Sequence, residues 1–221
     1  MKTILITGVS RGIGRALAER FLQNGDFVIG TSTSGTSPIE HERLLMLKLD
    51  LASPESIAAC AQFIIDSGKT IDVLMNNAGI WSGVDESPSI DVGMLRKVLE
   101  VNLFGTVDFT ERIIPIMKNG GHIVNISSRM GSIGGIERVG INWPDYKISK
   151  AALNMATRIL SVRLQDRNIT VSSVHPGWVK TDMGGSDADL EPEEAAEDIF
   201  TFAISMPETG QFWFKGEKFS W

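Results

Sequence analysis

The stretch Thr3–Gly14, Thr-Ile-Leu-Ile-Thr-Gly-Val-Ser-Arg-Gly-Ile-Gly, decides the fold of this 221-residue chain. It begins with a short apolar run, Ile4–Ile6, which predicts a buried strand. It ends in a glycine turn made by Gly8, Gly12 and Gly14. A helical pattern with an apolar face follows over residues 15–22. A strand, a glycine turn and a helix in this order can cradle a diphosphate, because backbone N–H groups and the positive end of the helix dipole face the anion.

The spacing of these glycines leaves two interpretations open. It is Gly-x-x-x-Gly-x-Gly, which differs from the Gly-x-Gly-x-x-Gly of the commoner dinucleotide fingerprint. A cofactor cradle is one interpretation, and an ordinary strand–helix turn is the other.

Strand and helix patterns alternate along the rest of the chain, which is typical of a parallel sheet covered on both faces. Further strands are predicted at residues 27–30, 44–49, 73–75, 122–126, 170–174 and 211–214. Helices are predicted at 53–66, 91–118, 145–166 and 193–206, with a loop over 129–143. No break in composition divides the chain. We therefore predict a single α/β domain over residues 1–221, with a doubly wound parallel sheet of about seven strands and helices on both faces.

Composition excludes several classes of function. The net charge of −6 argues against a nucleic-acid partner, which requires a basic surface. The single cysteine, Cys60, cannot form an internal disulfide, so we expect a cytoplasmic protein. A strand that starts at residue 3 leaves no room for a signal peptide, and no apolar run is long enough to span a membrane. The three histidines, His41, His122 and His175, lack metal-ligand spacing, so no metal site is predicted.

Six motifs in order make the chain resemble the short-chain dehydrogenase/reductase family over essentially its whole length. They are Thr7–Gly14, Asn76–Gly79, Asn102 in Val101-Asn102-Leu103, Ser128, the Tyr-x-x-x-Lys of Tyr146 and Lys150, and Pro176-Gly177 followed by Thr181. The resemblance implies a Rossmann-type fold and an NADP-dependent oxidoreductase. Within the family, residues 126–134 and 175–185 are similar to the C-factor and sniffer-type carbonyl reductase branch. The interval between Ser128 and Tyr146 is longer than in most members, and this insertion, roughly residues 134–143, affects the substrate entrance and a possible dimer surface.

The motif of Tyr146 and Lys150 supplies acid–base chemistry. The two residues are four apart on a predicted helix, so they share one face. A phenol has a pKa of about 10, and a nearby ammonium is expected to lower it toward the range useful for catalysis. The resemblance implies that Lys150 also holds the nicotinamide ribose, that Ser128 binds the carbonyl oxygen, and that Asn102 holds a water linking Lys150 to solvent. An alternative for Asn102 is a hydrogen bond to the preceding helical turn.

The cofactor is expected to be NADP(H). NAD specificity needs an acidic residue near the end of the second strand, and residues 30–33, Gly-Thr-Ser-Thr, contain none. Arg11 lies inside the glycine turn, where a guanidinium can pair with a 2′-phosphate; the alternative is a solvated turn residue. The motifs and the resemblance assign cofactor contacts to Gly8, Ser10, Arg11, Gly12, Ile13, Gly14, Thr33, Asp50, Leu51, Asn77, Ala78, Gly79, Tyr146, Lys150, Pro176, Gly177, Val179 and Thr181.

The substrate side is less defined. Trp81, Trp143, Trp178 and Met183 follow strand ends or precede Tyr146, so they predict an apolar pocket, with plain packing as the alternative. We predict an NADPH-dependent reductase of ketones, aldehydes or quinones. The alternative is a catalytically weak NADP-binding sensor or signalling protein; an epimerase or dehydratase is disfavoured because there is no room for its substrate domain. No nucleic-acid or membrane partner is expected.

A homo-oligomer, dimer or tetramer, is also expected. Ala151, Ala152 and Ala156 would allow close packing of the helix that carries Tyr146.

Overall fold

The computed structural model describes residues 1–83 and 87–221. Its strands form one sheet in the order β3-β2-β1-β4-β5-β6-β7-β8. The strands are β1 Thr3–Thr7, β2 Phe27–Ser32, β3 Leu44–Lys48, β4 Ile71–Asn76, β5 Met117–Ile126, β6 Thr170–Val174, β7 Phe212–Phe214 and β8 Glu217–Phe219. Neighbouring strands pair in parallel from β3 to β7, and β8 is antiparallel to β7.

Helices cover both faces of this sheet, which confirms the doubly wound α/β fold. They are α1 Gly12–Gln23, α2 Pro54–Asp66, α3 Val92–Leu99, α4 Thr106–Ile113, α5 Ile136–Val139, α6 Pro144–Arg163 and α7 Pro192–Ile204. Because successive strand residues point to opposite faces, Ile4 and Ile6 pack in the core with α1 and α7, whereas Leu5 packs in the core with α2 and α4. No helix in the described ranges is both long and apolar enough to cross a membrane.

The chain direction across the sheet reverses between β1 and β4. From β1 the chain proceeds outward through β2 and β3, and it then returns to place β4 on the other side of β1. The carboxyl ends of β1 and β4 therefore flank a crevice, where α/β proteins of this topology bind their ligands. Gly8 follows β1, and Asn77 follows β4 at this crevice.

The prediction of about seven strands misses β8. Its residues, Glu217–Phe219, form a short edge strand with mostly polar side chains, so they carry no apolar signal. The turn from β7 to β8 consists of Lys215 and Gly216, which have φ angles of 49° and 78°. Two successive positive φ values are typical of the tight turns that join antiparallel strands.

The prediction of one helix over residues 91–118 is wrong in two respects. A π-helical segment, Glu100–Gly105, separates α3 from α4, and a Cβ at Gly105 would overlap the carbonyl oxygen of Leu51. A short 3₁₀ turn with Pro115 follows α4, and β5 already begins at Met117. The loop predicted over 129–143 also contains a 3₁₀ turn, Arg129–Gly131, and the one-turn helix α5.

Candidate active site

The glycine turn after β1 brings the chain close to itself. Gly8 and Gly12 have φ angles of 76° and 53°, which side chains rarely adopt. A Cβ at Gly14 would overlap the carbonyl oxygen of Gly8, so the first turn of α1 can pack here only without a side chain. Arg11 precedes α1 and makes no side-chain capping bond to the described residues. The first N–H groups of α1 are thus available to an anion.

Asn77 holds the two edges of the crevice together. Its Nδ2 donates to the carbonyl oxygens of Thr7, at 2.9 Å, and Gly8, at 3.1 Å. The backbone N–H groups of Asn77 and Ala78 both donate to Thr7 Oγ1 at 3.0 Å. The end of β4 is therefore fixed to the end of β1 directly beneath the glycine turn.

Tyr146 and Lys150 lie one turn apart in α6 and are almost fully buried, at 8% and 4% exposure. Lys150 Nζ lies 5.5 Å from the centroid of the Tyr146 ring and donates to the carbonyl oxygen of Ile126, at the end of β5, at 2.8 Å. Ser128 follows the same strand, and its Oγ accepts a hydrogen bond from Met130 N–H. The Ser128 hydroxyl also faces the Tyr146 phenol and favours its ionised form.

Asn102 lies in the π-helical segment and is 1% exposed. Its Oδ1 accepts from Ile80 N–H at 2.8 Å, and its Nδ2 donates to the Ile80 carbonyl oxygen at 2.7 Å and to Ser149 Oγ at 3.1 Å. The alternative of a hydrogen bond to the preceding helical turn is therefore wrong. A Cβ at Gly79 would lie 3.2 Å from Asn102 Oδ1 and 3.6 Å from Lys150 Nζ, so both side chains converge on Gly79.

Burial is the main cause of the pKa shifts of Tyr146 and Lys150. It raises the pKa of the Tyr146 phenol to about 12, which the Ser128 side chain partly opposes, and it lowers the pKa of Lys150 to about 8. The expectation that the pKa of Tyr146 falls toward neutrality is wrong for this structure, because the penalty that removal from water places on the charged phenolate dominates. The phenol stays protonated at neutral pH and can donate a proton.

A cleft of about 530 Å³ extends from the glycine turn to Tyr146 and Lys150. Most of the residues predicted to contact the cofactor line it: Gly8, Ser10, Arg11, Gly12, Ile13, Gly14, Thr33, Asp50, Leu51, Asn77, Ala78, Gly79, Tyr146, Lys150, Pro176 and Thr181. Gly177 and Val179 instead line an adjoining cavity of about 330 Å³, together with Ser128. Tyr146 lines both spaces, so its side chain lies at their boundary.

The adjoining cavity has an aromatic wall. All four residues suggested for the substrate side, Trp81, Trp143, Trp178 and Met183, line it. The rings of Trp81 and Trp143 lie 5.2 Å apart between centroids. We name this space the substrate cavity; its lining favours a molecule with an apolar or aromatic body.

Arg11 pairs across the cleft with a residue that the sequence did not single out. Its Nη1 lies 2.7 Å from Asp182 Oδ2, and the two side chains are 78% and 73% exposed. Such exposed pairs contribute little stability, so Arg11 can exchange this partner for another anion. The pair joins residues 171 positions apart, a separation for which the local sequence carries no signal. The cleft also includes residues with no assigned role: Thr31, Ser32, Ile80, Val101, Lys180 and Asp182.

Comparison with known proteins gives a consistent result. A sequence model of the family described as short chain dehydrogenase matches residues 2–191. The chain is 28% identical to carbonyl reductase [NADPH] 1 of Mus musculus, with 94% of each chain covered. A short-chain dehydrogenase/reductase of Burkholderia multivorans with bound NADP superposes with a TM-score of 0.90 at 28% identity, covering 100% of this chain and 99% of the other. The carbonyl reductase Sniffer of Drosophila melanogaster gives a TM-score of 0.89 at 28% identity, with both chains fully covered.

Proposed function

The chain belongs to the short-chain dehydrogenase family, and on that premise we propose that it is an NADPH-dependent reductase of ketones, aldehydes or quinones. The observation that carries the proposal is the position of the buried Tyr146 phenol. It lies between the cleft at the glycine turn and the substrate cavity, beside Lys150 and near Ser128. A proton donor at the boundary of a cofactor cleft and an apolar cavity is what reduction of a carbonyl requires.

The residues of the cleft fit a dinucleotide phosphate. The uncapped first turn of α1 and the close approach at Gly14 suit a diphosphate. The end of β2 offers the hydroxyl side chains of Thr31, Ser32 and Thr33 and no carboxylate, and Arg11 is at the rim for a 2′-phosphate. The bound NADP in the Burkholderia multivorans relative supports the same choice. When bound, the nicotinamide supplies a hydride to the carbonyl carbon.

Side chains of the protein orient the carbonyl oxygen of the substrate and donate a proton to it. Ser128 donates its hydroxyl hydrogen to the carbonyl oxygen and orients it, while Tyr146 gives its phenolic proton to the same oxygen as negative charge develops there. Lys150, held by the Ile126 carbonyl oxygen, stabilises the phenolate that remains. Asn102 fixes the backbone at Ile80 beside Lys150, and its role in holding a water for proton return stays a proposal.

The test is NADPH oxidation with a panel of diketones, quinones and aldehydes, measured for the natural protein and for Tyr146→Phe, with NADH in parallel. We expect the natural protein to turn over with NADPH and the Tyr146→Phe variant to be inactive, because phenylalanine keeps the ring but lacks the hydroxyl that donates the proton. The competing hypothesis is an NADP-binding sensor. It gains support if NADPH quenches tryptophan fluorescence while no carbonyl is reduced. Equal use of NADH would contradict the assignment of Arg11.

We also propose a homo-oligomer that associates through α6. The outer side of this helix exposes apolar side chains: Met155, Ile159 and Val162 are each 60% exposed. Phe104, in the π-helical segment that contacts α6, is exposed as well. A contiguous apolar surface of this kind is typical of an interface, and a second copy of the chain is the occupant we propose. A single domain over residues 1–221 and a cytoplasmic location complete the proposal; the buried, unpaired Cys60 suits a reducing compartment.

A further inference from the structure

A second cavity, of about 430 Å³, lies beside the substrate cavity. Arg129, His175, Gly177 and Trp178 line both spaces. These four residues form the wall that the two spaces share. We name this second space the basic cavity because of the charges described next.

Three cationic side chains line the basic cavity. Arg129, Arg138 and Lys215 form no ion pair with a carboxylate in the described part of the chain, although the protein as a whole carries a net charge of −6. Asp189 is the acidic residue of the lining. The cavity thus keeps an excess of positive charge on an acidic protein, which concentrates anions at this place.

A buried hydroxyl also lacks a partner at this cavity. Ser132 is 3% exposed, and its Oγ forms no hydrogen bond within the described residues. A Cβ at Gly135 would approach this oxygen to 2.9 Å, so only glycine fits closely against the hydroxyl. Buried polar groups are nearly always hydrogen-bonded, so an unpaired one in a cavity wall points to a ligand atom.

The remaining wall is aromatic. The His175 ring stacks on Phe214 with 4.8 Å between centroids, and Phe219 lies 6.1 Å from the same imidazole. Burial and the nearby positive charge of Arg129 lower the pKa of His175 to about 4. The imidazole is therefore neutral at pH 7 and acts as an apolar surface, while Arg129 provides charge beside it.

We infer that the basic cavity binds a carboxylate carried by the carbonyl substrate, so that the preferred substrates are oxo acids whose carbonyl group and carboxylate occupy the two adjoining cavities. This inference rests on the proposed reductase function. The guanidinium of Arg138 and the hydroxyl of Ser132 would donate to the carboxylate, because a planar fork of N–H groups suits two carboxylate oxygens. The body of the substrate would lie between the aromatic walls of the two spaces.

The test compares methyl ketones that carry a terminal carboxylate, over increasing chain length, with their methyl esters. The readout is the ratio of kcat/KM for acid and ester in the natural protein, in Arg138→Gln and in the matched control Arg96→Gln, which removes an exposed arginine of α3. We expect the acid to be favoured at one chain length, and the ratio to fall about tenfold in Arg138→Gln, the effect of one lost charge-assisted hydrogen bond, but not in Arg96→Gln. A ratio near one at every length, or an equal ratio in the two variants, overturns the inference.

A binding measurement separates this inference from the reductase proposal. If neither acid nor ester is reduced, the same acids are titrated against tryptophan fluorescence, because Trp178 lines both cavities. Saturable binding of the acid that weakens about tenfold in Arg138→Gln supports the carboxylate site even without turnover. Equal binding of acid and ester, or no binding, overturns it. Lys215→Gln replaces Arg138→Gln if circular dichroism shows that the latter does not fold.

Discussion

His122 makes the stability of this protein depend on pH. The side chain is 1% exposed in β5, and its two ring nitrogens contact the carbonyl oxygen of Ala203, at 3.1 Å, and Ser172 Oγ, at 3.0 Å. Burial lowers its pKa to about 4 from the usual 6.5. The unfolded chain therefore binds a proton at a higher pH than the folded chain does, and stability falls as the pH decreases through this interval.

The size of the effect follows from the two pKa values. The largest loss of folding stability that His122 can cause is set by the difference between its pKa values in the unfolded and folded chains. It is about 3 kcal/mol, since one pKa unit corresponds to about 1.4 kcal/mol. Between about pH 7.5 and about pH 5, the predicted loss from His122 is about 2 kcal/mol. This is a large part of the stability of an ordinary domain.

The assay is urea denaturation of the natural protein and of His122→Gln at these two pH values. The variant should lose about 2 kcal/mol less stability on acidification, whatever its stability near neutral pH. Ser172→Ala is the matched control, because it removes a contact of the imidazole but retains the titrating group. An equal pH effect in the natural protein and in His122→Gln would refute the reasoning, as would an NMR titration that shows His122 charged at about pH 6.

Three further predictions concern the cleft and the outer surface. Gly14→Ala should lower the free energy of unfolding by about 3 kcal/mol in urea denaturation, because the new methyl group overlaps the Gly8 carbonyl oxygen. The same variant should no longer bind NADPH, as measured by quenching of tryptophan fluorescence. If the proposed oligomer forms through α6, Met155→Glu should convert it to monomers in sedimentation experiments, since the variant puts a charge on the apolar side of α6. An unchanged mass would contradict an interface there. The kcat/KM for reduction should fall as the pH rises through about 8, because the buried ammonium of Lys150 then loses its proton; a flat profile up to about pH 9 would contradict this role.

The sequence predicts those parts of the molecule that depend on neighbouring residues. The strand, turn and helix around Gly8, Gly12 and Gly14 follow from local apolar patterning and from the spacing of the glycines. The parallel pairing of the strands follows from the alternation of strands and helices, since a parallel strand needs a crossover connection. Ser128, Tyr146 and Lys150 were identified by motif, and their side chains lie at the adjoining cleft and substrate cavity.

Features that depend on distant residues or on burial were not predictable. The π-helical segment at Asn102 depends on hydrogen bonds to Ile80 and Ser149, residues separated from it by 22 and 47 positions. The pKa of Tyr146 moves upward because the surrounding fold excludes water, whereas the local motif reveals only the neighbouring charge of Lys150. Of the three cations of the basic cavity, Arg129 and Arg138 come from the loop predicted over 129–143, whereas Lys215 comes from the turn between β7 and β8. No pattern in the sequence connects this loop with this turn.

The side-chain amide of Asn77 affects how tightly a ligand can bind in the cleft. Its two hydrogen bonds to Thr7 and Gly8 hold the glycine turn in shape before anything binds. Ordering a flexible loop around a ligand would consume part of the binding free energy, and here that conformational entropy is already lost during folding. The affinity for the cofactor therefore depends on hydrogen bonds that form when the protein folds. A substitution that removes the Asn77 hydrogen bonds would let the glycine turn adopt more conformations, and binding would weaken because the cofactor would then have to order the turn.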